Sequence, residues 1–450
     1  MKKLSLVEVI AMAVGTMIGA SIFSIFGLGA QVAGRNLPEA FLLSGIYAFV
    51  VAYSYGILGN QIISNAGPIG FILKGLGDGL VSGTLSILLW MSYVVSIALL
   101  VKGFAGYFVP LVHLPTTFLS NAIVESILLF LFVGLHFLGN KAVGKAELYI
   151  VGIKLTILMV FIVGGVWTLQ WQNIKPDLDG SHLGQLVNAS VIFFLSYMGF
   201  GIITNASENI KNPKQNVRRA IYASITVVIL IYVLIAVVTL GNLPLSTIIS
   251  AKENALAIAA KPFLGPAGFF LISIGALFSI SSALNASIFG GANIAYSLAK
   301  DGELPTFFER KVWFKSTEGL YITAGLGLTF ALIFNLGAIA TITSSVLTVV
   351  YLFVVVAHLR MCDQYGGNRT VLRFNFLLLV AVFVALMLYQ WQSHRGAFYG
   401  SIVTFAGAFS LELFLRKVMK RNFTEHHKDN FKTRHEQVVH EQSSGTEDRH

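Results

Sequence analysis

The stretch VGTMIGASIF, Val14–Phe23, lies inside the first long apolar run of the chain and decides how that run is interpreted. Two glycines, a threonine and a serine interrupt it, and these residues favour a helix less than Leu or Ala do. Gly15 and Gly19 are open to two interpretations. They can form a G-x-x-x-G face that lets a neighbouring helix approach. Alternatively, they mark a break that leaves backbone groups free inside a protein-lined cavity.

The composition predicts an integral membrane protein, with the lipid bilayer as its surroundings. Of the 450 residues, 55% are hydrophobic and 12% are charged, whereas soluble domains carry about 25% charged residues. The 43 glycines agree, because glycine is commoner in membrane helices than in soluble ones. The net charge of +10 comes from basic residues in short segments between apolar runs. We therefore interpret it as a topology signal and expect no nucleic-acid partner.

Twelve apolar runs are each long enough to cross a bilayer, which takes roughly 20 residues. We predict helices, because the strands of a β-barrel would alternate in polarity over about ten residues. The runs begin near Leu6, Glu39, Val81, Asn121, Glu147, Gln185, Arg219, Gly268, Gly319, Gly337, Phe374 and Gly396.

Twelve spans place both termini on the same side of the membrane. If that side is the cytoplasm, the inner segments before the C-terminal tail hold 16 Lys and Arg residues. The outer loops hold five, Arg35, Lys175, Lys252, Lys261 and Arg395. This excess satisfies the positive-inside rule, so we predict a multi-pass protein of the cell membrane with cytoplasmic termini.

The sixth run contains a second interruption, FFLSYMGFGIITNASENIKNPK, Phe193–Lys214. Interruptions in spans one and six suit two inverted repeats of five helices, with two helices outside them. In such folds the broken helices meet near the bilayer midplane, where half-helix N-termini attract anionic groups and exposed carbonyls attract cations. The predicted units are residues 1–180 for helices 1–5, 181–360 for helices 6–10, 361–415 for peripheral helices 11–12, and 416–450 for a disordered cytoplasmic tail.

This arrangement suits a zwitterion such as a free amino acid. Backbone N–H groups of Gly19, Ala20 and Ser21 would bind its carboxylate at the start of a half-helix. Carbonyls of Met17 and of the Leu195–Met198 segment would bind its ammonium group. Such a site needs no metal, cofactor or catalytic side chain, and we predict none.

Lys154 lies in the fifth run, about two helical turns from the predicted cytoplasmic end of that run. An ionisable group at that depth is a functional hypothesis by default, because burial disfavours the charged form. We interpret Lys154 as a proton carrier, with the proton gradient as the driving force. The alternative is that its stem extends so that the ammonium reaches the inner interface. We interpret Lys102, nearer the outer end of the third run, as reaching the outer interface in this way.

Three motifs resemble the amino acid–polyamine–organocation (APC) superfamily: AMAVGTMIGASIF at Ala11–Phe23, SYMGFGIITNASENIKNPKQNV at Ser196–Val217, and IAYSLAKDGELP at Ile294–Pro305. The likeness covers residues 4–421 and is greatest to proton-coupled members of broad specificity. It implies a LeuT-like fold, an all-α polytopic membrane protein of 12 transmembrane helices. This fold has a 5+5 inverted repeat and two peripheral helices, and helices 1 and 6 are broken at the midplane. The implied activity is import of amino acids by proton symport through alternating access.

The resemblance also implies the site residues. The substrate carboxylate would meet the break in the first span. In sodium-coupled relatives a cation lies between spans one, five and eight, and here Lys154 would take its place. The implied substrate-binding residues are Thr16, Met17, Gly19, Ala20, Ser21, Phe194, Leu195, Tyr197, Met198 and Phe200. The implied neighbours of Lys154 in proton coupling are Gly15, Ile18, Ser281 and Ser282.

Two positions depart from the pattern of the superfamily. Gly201 stands where many members carry an acidic residue, and Arg218 stands where they usually carry a proline. The substrate pocket, with Phe194, Tyr197 and Phe200 as its expected lining, then has no acidic side chain. We therefore expect neutral L-amino acids to be preferred over arginine or polyamines.

Other functions remain as alternatives. A sodium-independent amino acid exchanger, or antiporter, could use the same fold. A channel would show rings of charged residues or repeated filter loops. A membrane enzyme would show convergent catalytic residues, a P-loop or a metal-ligand spacing. The sequence shows neither set of features, so we expect a transporter that is not an enzyme. The oligomeric state is left open.

Overall fold

The computed structural model describes residues 3–64, 67–136, 143–177, 179–300, 304–312 and 317–418. Within these ranges the chain is helical, and its β-type pairing is limited to two isolated bridges, Leu4 with Ile210 and Lys311 with Thr317. Most of the predicted disordered tail, from residue 419 onward, lies outside the described residues.

Nineteen α-helices are named here in chain order, and short 3-10 segments connect several of them. They are α1 Leu6–Met17, α2 Ala20–Ser24, α3 Phe26–Ala33, α4 Leu37–Gln61, α5 Pro68–Leu76, α6 Leu80–Leu111, α7 Phe118–Leu135, α8 Val143–Val166, α9 Gly180–Phe193, α10 Ile202–Asn205, α11 Pro213–Asn242, α12 Leu245–Ser250, α13 Ala255–Ala259, α14 Lys261–Lys300, α15 Glu318–Ile333, α16 Leu336–Arg360, α17 Cys362–Tyr365, α18 Arg369–Ser393 and α19 Arg395–Val418.

Among the described residues, eleven helical stretches are long and apolar enough to cross a membrane, and they correspond to eleven of the twelve predicted runs. The remaining run forms α15, which has 16 residues. A helix of that length extends about 24 Å, less than the roughly 30 Å of a hydrocarbon core. The prediction of an all-α polytopic membrane protein is confirmed, whereas the count of twelve spans stays a prediction.

The boundary between α15 and α16 falls at a helix cap. Phe334 and Asn335 both have extended backbone. The Asn335 side chain accepts a hydrogen bond of 2.8 Å from the backbone N–H of Ala338, which satisfies a donor at the start of α16. This cap explains why two apolar runs separated by a few residues form two helices.

Small residues allow the central helices to approach closely. A side chain on Gly45 of α4 would overlap Ile229 of α11, and one on Gly15 of α1 would overlap Val151 of α8. Helix packing inside a membrane depends on such contacts, because lipid gives no hydrophobic drive between helices. The bare backbone at Gly15 therefore brings α1 against α8, the helix that carries Lys154.

The start of the first span is joined to the end of the sixth. The Leu4 N–H donates to the Asn209 carbonyl at 2.8 Å, and the Lys211 N–H donates to the Leu4 carbonyl at 2.8 Å. This bridge lies at the same end of the bundle as the N-terminus. It ties together the two spans that the sequence predicts to be broken.

Lys102 has a carboxylate partner, and its extension to the outer interface stays a prediction. Its Nζ lies 3.4 Å from Oε1 of Glu125, and the two side chains are 18% and 2% exposed. Lys102 belongs to α6 and Glu125 to α7. Ionisable groups within membrane spans commonly pair with one another, and which helix supplies the partner depends on packing that the sequence does not encode locally.

Candidate functional site

The first span is broken at Ile18 and Gly19. Helix α1 ends at Met17 and α2 begins at Ala20. The backbone angles are φ −81°, ψ 61° at Ile18 and φ −104°, ψ −127° at Gly19, both far from the helical values near −63° and −42°. The interruption in the opening stretch is therefore a break in the helix.

The sixth span changes its helix type. Helix α9 ends at Phe193, a 3-10 segment runs over Phe194–Gly201, and α10 begins at Ile202. An eight-residue 3-10 segment is long for this conformation, and in the middle of a helix it often marks a functional hinge. The interruption predicted from the sequence, Phe193–Lys214, includes these residues.

The 3-10 segment of the sixth span contacts the end of α1 at Gly199. A Cβ atom at this position would lie 2.6 Å from the Met17 backbone nitrogen and 2.9 Å from the Thr16 carbonyl carbon. Contacts this close to backbone leave no room for a side chain. Gly199 thus lets the 3-10 segment of the sixth span lie against the last turn of α1, directly before the break in the first span.

Tyr232 of α11 joins the two breaks, and the sequence analysis missed it. Its side chain is fully buried. Its hydroxyl lies 2.6 Å from the Met17 carbonyl oxygen, 3.3 Å from the Ser196 carbonyl oxygen and 3.4 Å from the Ser21 hydroxyl. The one available signal was a tyrosine inside the apolar run VVILIYVLIAVV, Val227–Val238.

Two of the carbonyls predicted to bind an ammonium group already accept hydrogen bonds. The Met17 oxygen accepts from Tyr232 and, at 3.1 Å, from the Ser21 hydroxyl. The Met198 oxygen accepts from the Tyr351 hydroxyl at 3.1 Å. A carbonyl oxygen has two lone pairs, so an ammonium group would have to displace a hydroxyl from Met17.

The three predicted aromatic residues are buried but face two different neighbours. The Tyr197 hydroxyl donates to the Phe41 carbonyl at 2.8 Å, and its ring lies 5.3 Å from that of Tyr232. The rings of Phe194 and Phe200 lie 6.1 Å and 5.8 Å from the ring of Tyr351. The Met17 and Ser196 carbonyls joined by the Tyr232 hydroxyl are termed here the carbonyl junction. The structure therefore places Tyr197 beside the carbonyl junction and the two phenylalanines beside α16.

Lys154 contacts the first span directly. Its side chain is 1% exposed, and Nζ donates a hydrogen bond to the carbonyl oxygen of Gly15, in the last turn of α1. The structure thus brings together Lys154 and one of its four predicted neighbours through a described hydrogen bond. The same residue, Gly15, packs against Val151 of α8, so it serves as a close-packing position as well.

The hydroxyl at the Ile18 carbonyl comes from Ser279, which the sequence analysis did not select. Ser279 of α14 is fully buried and donates to that oxygen at 2.7 Å. Ala283, one turn further on, would meet a Cβ placed on Gly19 at 3.0 Å. Residues two apart do not share a helix face, so Ser281 lies away from the face that Ser279 presents to the break. Ser282 is buried on the same helix.

The remaining predicted residues sit as follows. Thr16 uses its hydroxyl within α1, donating to the Met12 carbonyl at 2.9 Å. Leu195 is half-buried in the 3-10 segment. The backbone of Ala20 begins α2. These positions lie at or beside the two breaks.

Three possible metal ligands lie together away from the breaks. Ligand atoms of Asp177, Asp179 and His182 lie within 4.8 Å of one another before and inside the first turn of α9. His182 Nδ1 is 3.0 Å from Asp177 Oδ1, which makes this a surface ion pair when the imidazole is protonated. It has no contact with the carbonyl junction in any described hydrogen bond.

A many-span helical bundle, with two spans broken inside its buried core, is typical of polytopic membrane transport proteins. A family model described as amino acid permease matches residues 4–409. This chain belongs to that family, within the APC superfamily. The predicted resemblance is confirmed.

Relatives cover almost the whole chain. It is 60% identical to an uncharacterised protein of Methanocaldococcus jannaschii, over 94% of this chain and 97% of the relative. It is 32% identical to the inner membrane transport protein YbaT of Escherichia coli, over 94% of this chain and 97% of that relative. It is 23% identical to a methylthioribose transporter of Bacillus subtilis, over 92% of this chain and 93% of that relative. Since that last protein is named for a different kind of substrate, similarity to relatives leaves the substrate open.

Loss of the Tyr232 hydroxyl is expected to strengthen substrate binding and to slow transport. Replacing it by phenylalanine removes a hydroxyl from the Met17 and Ser196 carbonyls and leaves those acceptors free for an ammonium group. A hydrogen bond contributes about 1 kcal/mol net, which is about fivefold in affinity. We expect KM for an amino acid substrate to fall about fivefold. We expect the maximal rate to fall as well, because release of the substrate then leaves the Met17 and Ser196 carbonyls without the hydrogen bond from Tyr232.

Initial rates in proteoliposomes across substrate concentrations would measure both parameters. Tyr222→Phe is the matched control, since Tyr222 is on the same helix but lies near Arg218 and Phe49. Unchanged KM and rate in Tyr232→Phe would show that its hydroxyl has no part in substrate exchange.

Proposed function

We propose that this protein imports neutral L-amino acids of several kinds by proton symport through alternating access. It would do so in the cell membrane, with both termini in the cytoplasm and without catalysing a reaction. The observation that carries the proposal is the junction of the two broken spans, with the Lys154 ammonium group bonded to the Gly15 carbonyl beside it. We also propose residues 1–180 and 181–360 as the two repeats and 361–415 as the peripheral helices.

The junction supports a zwitterionic substrate. The N–H groups at Gly19, Ala20 and Ser21 begin α2, where backbone donors suit a carboxylate. The carbonyls of Met17, Leu195 and Met198 suit an ammonium group. In this proposal the substrate ammonium replaces the Tyr232 and Tyr351 hydroxyls, which connects substrate binding to α11 and α16.

The preference for neutral side chains follows from position 201. A Cβ atom at Gly201 would have Tyr55 Cε1 as its nearest described neighbour, at 4.0 Å. The position therefore offers ordinary van der Waals space without a carboxylate. A cationic substrate side chain would lose its hydration there without a charged partner, which is costly.

The coupling step would use the charge of Lys154. A hydrogen bond from a charged donor is roughly twice as strong as one between neutral groups. Protonated Lys154 would hold the last turn of α1 against α8, and loss of the proton would weaken that contact and let α1 move. The carbonyl of Ile18, directly after α1, accepts a hydrogen bond from Ser279 of α14. Movement of α1 would therefore break or lengthen this hydrogen bond.

Transport assays would separate symport from the alternative of exchange. Purified protein in proteoliposomes would be given a panel of labelled amino acids, with and without an inward proton gradient, and with empty or preloaded vesicles. We expect accumulation into empty vesicles that depends on the gradient, with leucine and alanine preferred over arginine. Uptake seen only into preloaded vesicles would instead establish an exchanger.

A further inference from the structure

A cavity at the end of the bundle opposite the N-terminus is separate from the carbonyl junction. It has a volume of about 310 Å³ and lies between the end of α6 and the start of α14. Its walls are Pro110, Pro266, Phe269 and Phe270, and the basic side chains of Lys261 and His113 stand beside them. Under the predicted topology this is the outer face, where loops carry few Lys and Arg residues.

The backbone holds these residues in place. Gly265 has φ 64° and ψ −158°, a left-handed φ that glycine adopts without strain, and it kinks α14 just before Pro266. His113 has φ 56° at the end of α6, and its N–H donates to the Pro110 carbonyl at 3.2 Å. Two turns of unusual geometry therefore form the cavity.

The exposed Lys261 side chain lines the cavity and lies over one of its aromatic walls. Its Nζ lies 4.8 Å from the centre of the Phe269 ring, within the range of a cation–π contact. This contact presents a positive charge over an apolar wall. An occupant that satisfies both features has an anionic head and an apolar body.

An apolar track continues from the cavity down the outside of α14. Phe270, Ile274 and Phe278 are 53%, 42% and 56% exposed, and their spacing of four residues places them on one helix face. They extend over about 12 Å along the helix axis. An acyl chain could lie along this track while its headgroup occupies the cavity.

We propose that this cavity, termed here the outer lipid site, binds the phosphate headgroup of an anionic phospholipid, with one acyl chain on Phe270, Ile274 and Phe278. An exposed pair of opposite charges contributes up to about 1 kcal/mol, which is about fivefold in affinity. A soluble anion would use the charge alone and would gain nothing from the apolar track.

Native mass spectrometry of the purified full chain in detergent would test the outer lipid site. The chain would be titrated with dioleoyl phosphatidylglycerol and, separately, with dioleoyl phosphatidylcholine. We expect tighter binding of phosphatidylglycerol, weakened about fivefold by Lys261→Gln and unaffected by excess inorganic phosphate. Phe270→Ser should weaken both lipids.

Lys252→Gln is the matched control, because Lys252 is another exposed outer-loop lysine but lies outside the cavity lining. Equal losses in Lys261→Gln and Lys252→Gln would overturn the proposal, as would equal affinity for the two lipids or displacement by inorganic phosphate. If Lys261→Gln fails to fold, the test uses Lys261→Arg, which keeps the positive charge. We expect Lys261→Arg to keep the preference for phosphatidylglycerol, and loss of that preference would overturn the proposal.

Discussion

Replacement of Lys154 by alanine is expected to abolish accumulation of amino acids driven by a proton gradient. The side chain is 1% exposed and its Nζ donates to the Gly15 carbonyl. The substitution removes both the titratable group and the donor, leaving a buried carbonyl unsatisfied at a cost of about 1–3 kcal/mol. We expect gradient-driven uptake to fall to background, because no titratable group then remains at this position to couple the proton to the movement of α1.

Uptake into proteoliposomes at several external pH values would measure this effect, and counterflow without a gradient would show whether the variant still binds and moves substrate. The matched control is Lys102→Met, which removes another lysine from a membrane span, one that pairs with Glu125. That variant should keep its pH dependence. An undiminished response to the gradient in Lys154→Ala would show that Lys154 is a structural residue.

A side chain at Gly199 is expected to stop transport. The Cβ of alanine would approach the Met17 backbone nitrogen to 2.6 Å and the Met17 Cγ to 2.9 Å. Backbone cannot yield as a flexible side chain can, and overpacking typically costs about 1–3 kcal/mol. We expect Gly199→Ala to lower the maximal uptake rate by about ten- to a hundredfold, and Gly199→Val to abolish uptake.

Gly184→Ala is the matched control, in α9 of the same span, where an added Cβ would have no described atom within 4 Å. It should retain transport. Size-exclusion profiles and melting temperatures of the detergent-purified variants would separate loss of folding from loss of transport. If Gly199→Ala folds and transports at the normal rate, the 3-10 segment does not need to contact the end of α1.

The spans and breaks were predictable because their signals are local. Hydropathy over about 20 residues identifies a span whatever its neighbours are. The glycines and polar residues of VGTMIGASIF weaken a helix in any setting, and the interruption in the sixth run does the same. The depth of Lys154 could also be counted from the start of its own run. In each case the relevant free energy depends on a single segment and its solvent.

The partners of these groups were not predictable. Tyr232 is bonded to Met17 across 215 positions, and Ser279 to Ile18 across 261. Ser281 and Ser282 were selected by resemblance, yet the turn of α14 presents Ser279 to the Ile18 carbonyl. The partner of Lys102, Glu125, comes from α7.

The sequence by itself determined that this chain is a many-span membrane protein of the amino acid permease family, with helix breaks in its first and sixth spans. Whether Gly15 and Gly19 form a packing face or a break was decided only by the tertiary structure, which gives one role to each. Gly15 packs against Val151, and Gly19 lies in the break beside Ala283. The physical reason is that both roles need the same residue, one without a side chain. Only the neighbouring helix shows which use is made of the space.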